Sequence, residues 1–379
     1  MAETMLAVRK VADERGLRVV EVPVPRIKPD EVLVRIEAAS FCGTDLHIWK
    51  WDDWARGRVR PPLTLGHEFA GTVVAVGERV EHVEVGDYVS AESHITCGRC
   101  FYCRTGQAHL CPKTEILGID RDGAFAHYVA VPEKVIWHND RKRIPPHIAT
   151  LQEPFGNAVY ATLYQDIAGQ SVAIMGCGPI GLFSVAVARA SGAAYVYACD
   201  PIPYRRQLAL RMGATAAFDP IKSSDGRDIV QTLVEANEGY GIDVVLEMSG
   251  APAAINNAFR AVRNGGTVVL FGIPSQPVEI EVAQNLIFKN LTVRALNGRK
   301  IFETWYKTRW LLEHGVIDLN PLVSHRIGFD QIEEAMELMS RGEACKVVLL
   351  PHGEQPPPRP PREQRRPADP GITGKDVHR

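Results

Sequence analysis

The sequence predicts an α/β protein in which a mostly β domain precedes a doubly wound parallel sheet. Three observations lead there. Up to about residue 155, short β-branched runs are broken by Gly, Pro and Asp; from about Gly169, apolar runs alternate with helical stretches; and the first turn of that second region reads G-x-G-x-x-G. Short runs of the first kind build irregular, mostly β domains, whereas alternating strands and helices build a parallel sheet with helices on both faces.

In the first region the strands are read in "EVLVRIEAAS", "FAGTVVAVG", "GDYVSAESH" and "GAFAHYVAV". In the second, "SVAIMG", "YVYACD", "DVVLEMSG" and "GTVVLFG" are continuous apolar runs, as strands buried on both faces require, and "YRRQLALRMG" is an amphipathic helical segment between two of them. Beyond about residue 298 two helical stretches, "IFETWYKTRWLLEHG" and "FDQIEEAMELMSRG", precede a last strand, "KVVLL", and these segments are free to complete either domain. The residues from Pro351 hold eight of the chain's 26 prolines and almost nothing apolar. Burial there cannot offset ordering entropy, so a disordered tail is expected, with "PPPRPP" able to adopt polyproline II.

A chain of 379 residues with 45% hydrophobic residues can bury a sizeable core, and its length suggests two domains. Lys and Arg total 43 against 45 Asp and Glu, a net charge of -2, so neither nucleic acid nor an anionic membrane is an expected partner. No segment approaches the roughly 20 apolar residues of a membrane span, and "MAETMLAVRK" lacks the apolar core of a signal peptide, so the expected location is the cytoplasm. Eight cysteines in that compartment are thiols or metal ligands rather than a disulfide framework.

Gly176, Gly178 and Gly181 follow a strand and open a helix, with Pro179 and Ile180 between the last two. In that context the spacing is a dinucleotide fingerprint: a tight turn at Gly176, backbone approach of the pyrophosphate at Gly178, and close helix–strand packing at Gly181. Asp200 ends the next apolar run, 19 residues beyond Gly181, where a carboxylate accepts from the ribose hydroxyls and repels a 2′-phosphate. NAD is therefore expected over NADP, with Arg205 as a candidate to stack on the adenine.

Cys97, Cys100, Cys103 and Cys111 are spaced C-x2-C-x2-C-x7-C. Four thiolates in one short loop close a tetrahedral zinc site with no open position, which is structural. The bacterial ferredoxin run is the rival, and Pro112 follows Cys111 as it would there, but the last gap is seven residues rather than three. Chemistry is thus expected elsewhere. "FCGTDLHIW", "LGHEFAG" and "LQEPFGN" supply Cys42, His67, Glu68 and Glu153, residue types from which a catalytic zinc site with an open position is built.

The motifs "CGTDLH", "GHEFAGTVVAVG", "VGDYV", the four-cysteine loop and "GCGPIG", in this order and spacing, resemble the zinc-dependent medium-chain alcohol and polyol dehydrogenases over residues 1 to about 350. The resemblance implies a GroES-like catalytic domain over 1–157 with two zinc ions, a Rossmann NAD-binding domain over 158–297, and a segment 298–350 that completes the catalytic domain ahead of a tail at 351–379. It implies Cys42, His67 and Glu153 as catalytic zinc ligands, Glu68 beside the metal and able to ligate it transiently, and a homotetramer. Alcohol dehydrogenases of the family carry Cys where Glu153 stands. A Glu there resembles the polyol and threonine branch, and "HIWKWDDW", "SHITCGRC", "EPFGNAV", "LEMSGAP" and "GRKIFETWYK" resemble its threonine-oxidising members.

The implied reaction is oxidation of the β-hydroxyl of L-threonine by NAD, with Thr44 accepting the hydroxyl proton and His47 passing it toward water through the cofactor ribose. An amino-acid substrate needs counter-charges: Asp52, Asp53 and Glu153 are candidates for the ammonium, and His94 and Arg299 for the carboxylate or the cofactor. Trp49, Trp51 and Trp54 lack helical spacing and are candidates to wall the pocket from a loop. The alternatives are a polyol or 2,3-butanediol dehydrogenase of the same branch and, from another class, a zinc-stabilised redox sensor without catalysis.

Overall fold

The computed structural model describes residues 4–221 and 227–353, so nearly all of the proline-rich tail lies outside the described residues. Strand Glu31–Ser40 is the axis of the N-terminal part. Val32, Val34, Ile36 and Ala38 are fully buried on one side, the period-two pattern of a strand. It pairs antiparallel with Glu68–Val76, and on through Tyr88–Ala91 to Ile136–His138, while Tyr128–Pro132 also pairs with it. On its other edge, strand Lys346–Leu349 pairs antiparallel with its last residues and is followed by Val323–Ile327. The register sets Ser40 opposite both Glu68 and Val348, so three distant segments converge where the strand ends. A small antiparallel sheet of Arg18–Pro23, Thr4–Lys10 and Leu63–Thr64 lies beside it.

The second sheet has six parallel strands in the spatial order Ala216–Phe218, Tyr195–Cys199, Ser171–Met175, Ile242–Glu247, Val262–Leu270, Thr292–Ala295. Numbered along the chain this is 3-2-1-4-5-6, the doubly wound order whose ligand crevice opens at the carboxyl ends of strands 1 and 4. The four apolar runs read as strands lie in it, and Ser171–Met175 is buried throughout. Helix Gln152–Thr162 joins the two halves. Its Phe155 ring meets Phe183 of helix Pro179–Ala190 edge-on at 5.5 Å, and helix Glu303–Glu313 packs on it.

The tryptophans differ from the loop arrangement expected of them. Trp49 lies on helix Gly43–Lys50, is buried, and donates to Glu333 Oε2 at 2.8 Å; Trp51 is buried just past that helix with Lys10 over its ring. Trp54, on helix Asp53–Arg58, is exposed. The missing signal was the break at Trp51, whose left-handed backbone ends one helix and shifts the phase of the next.

Gly181 has no room for a side chain: a Cβ there would stand 2.0 Å from the Gly176 carbonyl oxygen. Gly181→Ala should therefore destabilise the protein by about 2 kcal/mol or more, seen as a lowered thermal midpoint; an unchanged midpoint would contradict the packing. Inside the first sheet, Arg141 grips Glu37 through two hydrogen bonds of 2.6 and 2.7 Å, and Thr72 adds a third. Burial raises the Glu37 pKa, but the hydrogen bonds from Arg141 and Thr72 outweigh it and hold the carboxyl below its ordinary 4.5. A depressed carboxyl stabilises the fold above its unfolded pKa and stops doing so as pH falls through the folded value. The advantage of the native protein over Glu37→Gln in thermal unfolding should be full at pH 7 and shrink only below pH 4.5.

Candidate active site

Cys42 caps helix Gly43–Lys50 at the end of the Glu31–Ser40 strand, and its N–H donates to Asp45 Oδ2 at 2.8 Å. Glu68 begins the neighbouring strand and His67 directly precedes it, so ligand atoms of Cys42, His67 and Glu68 lie within 4.8 Å of one another. Asp45 Oδ1 stands 4.0 Å from His67 Nδ1. Lys346, fully buried, donates to Glu68 Oε2 and, at 2.6 Å, to the Phe41 carbonyl, and the Ser40 hydroxyl also donates to Glu68. Burial penalises charge on His67, yet Asp45, Cys42 and Glu153 around it carry its pKa up to about 10. Acidic and thiol groups thus crowd the imidazole, while burial raises the Asp45 and Glu68 carboxyls above their ordinary values.

Those residues fit a zinc ion. His67 Nδ1, Glu68 Oε1 and Asp45 Oδ1 are buried without a hydrogen-bond partner, and orphaned acceptors beside a thiol and an imidazole call for a cation. Thr44 Oγ1 is 3.7 Å from Cys42 Sγ, and one turn on His47 is half exposed, its Nδ1 held by Asp52 Oδ2 at 2.5 Å.

Glu153 is buried in the first turn of helix Gln152–Thr162, and its ligand atoms group with those of Glu92 and His94 rather than with those of Cys42, His67 and Glu68. Its Oε1 accepts from Arg299 at 2.6 Å and from Ser93 Oγ at 2.5 Å. Arg299 is 2% exposed, and its guanidinium is further engaged by Glu92 and by Asn157 Oδ1 at 3.2 Å. The residue expected at the cofactor or a substrate carboxylate is thus committed to two buried carboxylates. Of the other candidates for the ammonium, Asp52 caps helix Asp53–Arg58 and holds His47, and Asp53 points into solvent beside Arg56. His94 lies beside Glu92 and Ser93.

The four loop cysteines stand apart from this pocket's residues, with sulfur–sulfur separations of 3.5, 3.6, 3.7 and 4.0 Å. These are four of the six separations, all of the sulfurs lie within 4.8 Å of one another, and the spacing is close to the roughly 3.8 Å edge of a tetrahedron built on zinc–thiolate distances of about 2.3 Å. Backbone N–H groups of Arg99 and Cys100 lower the Cys97 thiol to about 6, favouring the ligating thiolate.

At the nucleotide fingerprint, Gly176 has φ +98°, and the Cβ position of Gly178 faces open space within 4 Å, where a phosphate approaches without obstruction. Pro179 and Ile180 begin helix Pro179–Ala190. Asp200 is buried at the end of its strand and accepts from the N–H groups of Cys177 and Ile202, both at 2.8 Å, with Arg205 3.6 Å away. Asp45, Glu92, Trp305 and Lys346 escaped the sequence reading of the site. Asp45 stood in plain view inside "CGTDLH"; Lys346 and Trp305 lie more than 200 residues from their partners, Glu68 and Glu92, and only the fold brings them in.

Residues 28–141 match the family model of the alcohol dehydrogenase GroES-like domain, and residues 179–313 that of the zinc-binding dehydrogenases. The chain is 51% identical over 352 residues to the L-threonine 3-dehydrogenase of Symbiobacterium thermophilum, covering 93% of this chain and 99% of that one. It is 48% identical to the protein of that name from Pyrococcus furiosus, covering 92% and 99%. Among solved structures, a zinc-binding dehydrogenase from Sinorhizobium meliloti bound to NADP superposes with a TM-score of 0.84 at 32% identity, covering 92% and 100%. The 2R,3R-butanediol dehydrogenase of Bacillus subtilis does so with 0.81 at 28% identity over the same shares. By these matches and by its two thiol-containing metal pockets, the chain belongs to the zinc-dependent medium-chain dehydrogenases, alongside the relatives named L-threonine 3-dehydrogenase.

Proposed function

We propose that the protein oxidises the β-hydroxyl of L-threonine with NAD, giving 2-amino-3-oxobutanoate, NADH and a proton. The observation that carries this reading is the 44–51% identity that the chain shares with several curated L-threonine 3-dehydrogenases, together with a buried pocket in which Cys42, His67 and Glu68 converge. Diol and polyol dehydrogenases resemble it at lower identity, 28% for the butanediol enzyme.

Cys42, His67 and Glu153 are assigned to the catalytic zinc, with Glu68 beside them, and Cys97, Cys100, Cys103 and Cys111 to a structural one. When bound, zinc supplies Lewis-acid polarisation of the hydroxyl and the nicotinamide supplies the hydride acceptor. The chain's own residues do the rest. Thr44, in the first turn of the helix that Cys42 caps, takes the hydroxyl proton, and His47, with Nδ1 oriented by Asp52, hands it outward from a side chain already in contact with solvent. Gly176, Gly178, Pro179, Ile180 and Gly181 cradle the pyrophosphate, while Asp200 and Arg205 face the adenosine ribose and adenine. A buried carboxylate at that strand end favours NAD over NADP. The protein is placed in the cytoplasm as a homotetramer, in keeping with the family it resembles; among the described residues no helix is long and apolar enough to cross a membrane.

NADH formation by the zinc-loaded protein should be faster with L-threonine than with sorbitol, 2,3-butanediol or simple alcohols at equal concentration; a polyol or diol in first place would overturn the assignment. His47→Asn should lower turnover on the order of 100-fold with both zinc ions retained, and unchanged turnover would remove His47 from the proton path.

A further inference from the structure

Glu92 is a fully buried carboxylate that the proposed chemistry does not use. It follows strand Tyr88–Ala91 and meets two residues from the far side of the nucleotide domain. Its Oε2 accepts from Arg299 Nε at 2.9 Å and from the Trp305 indole N–H at 2.8 Å. Its Oε1 accepts from Arg299 Nη2 and, at 2.9 Å, from the His94 backbone N–H. Glu92 therefore grips one edge of the guanidinium with both oxygens, a fork that fixes its plane as well as its position. What remains of the guanidinium is aimed: Nη2 at Glu153 Oε1, Nη1 at Asn157. The fit leaves no slack on the helix side, where a Cβ on Gly156 would stand 2.8 Å from Arg299 Cδ. Ligand atoms of Glu92, His94 and Glu153 lie within 4.8 Å of one another, as in a cation site, and the guanidinium is the cation that serves it.

We propose that Glu92 and Trp305 are positioning residues for the oxidation: together they lock the Arg299 guanidinium, and the locked guanidinium fixes the Glu153 carboxylate. This rests on the assignment of Glu153 to the catalytic zinc. It gives "FETWYK" a physical task, since Trp305 is the residue of that stretch whose N–H reaches Glu92. The geometry ties one oxygen of Glu153 to Arg299 and Ser93 and gives the other no hydrogen bond among the described residues, so the orientation of the carboxylate is set from Trp305 through three successive buried contacts.

Trp305→Phe keeps an aromatic ring on the side of Trp137, 5.6 Å away in the native protein, and removes the N–H donor together with part of the ring volume. Glu92→Gln is the second variant, loosening the fork without changing its size. In the full-length zinc-loaded protein each should lower kcat/KM for L-threonine about tenfold and speed release of one zinc per chain to a chelator about tenfold, while the other zinc and NADH binding change little, a selectivity that general destabilisation would not give. In an Arg299→Lys background Trp305→Phe should add nothing, because it acts through that guanidinium. Unchanged zinc release in both variants, or an undiminished effect of Trp305→Phe beside Arg299→Lys, would overturn the proposal. A wild-type protein that forms no NADH from L-threonine would instead defeat the substrate assignment, and the zinc-release comparison would still decide whether the lock exists.

Discussion

The burial of negative charge around His67 is the constraint on which the rest of the molecule depends. Cys42, Asp45, Glu68 and Glu153 all bear on this one buried imidazole. Taking a carboxylate out of water costs several kcal/mol unless opposite charge and hydrogen bonds replace the solvent. The chain supplies two cations for the purpose, Lys346 on Glu68 and Arg299 on Glu153, each 2% exposed or less. Both come from beyond the six-stranded sheet. The final strand, Lys346–Leu349, must therefore return to pair with Glu31–Ser40, and helix Glu303–Glu313 must dock on Gln152–Thr162. The residues beyond the six-stranded sheet thus carry the cations that meet Glu68 and Glu153.

Helix Gln152–Thr162 turns that local balance into a relation between two sites. Glu153 stands in its first turn and Asn157 one turn on, both bonded to Arg299, while Phe155 between them packs on Phe183 of the helix that begins at the glycine turn. The metal side and the cofactor side thus share one rigid element rather than a loop. Hydride transfer demands such rigidity, because reacting atoms must be held close to contact and small displacements are costly in rate.

How much of this was legible in the sequence depended on the range of the interaction. The parallel strands were visible because each is a continuous apolar run, and Gly176 to Gly181 because the whole turn is local. The cysteine loop was visible because its four ligands fall within fifteen residues. Cys42, His67, Glu68 and Glu153 were candidates by residue type, but nothing local distinguishes Glu153, on its guanidinium, from Glu68, on its ammonium. Arg299 was chosen for its charge and expected to face a ligand; its burial against Glu92 and Glu153 is a tertiary fact with no periodic signature. Trp49, Trp51 and Trp54 were misread because a single left-handed residue, Trp51, separates two short helices and scrambles the apparent spacing.

The network of Glu92, Arg299, Glu153 and Trp305 is hard to explain as a stabilising device. Apolar residues of similar volume commonly stabilise a buried site at least as well as an ion pair does, and here two carboxylates and a guanidinium are taken wholly from water. What a satisfied polar network confers is definition: the Arg299 guanidinium is held by Glu92, Glu153, Ser93 and Asn157 at once, so the side chains have one arrangement rather than several. Trp305 completes that satisfaction by occupying the lone pair of Glu92 Oε2 that Arg299 leaves open. Glu153 is consequently held in a single pose, with its charge partly balanced by Arg299. A site that must hold a metal, an alcohol and an amino-acid headgroup at once gains from having one of its carboxylates fixed in advance, and the buried network is the means by which this chain fixes it.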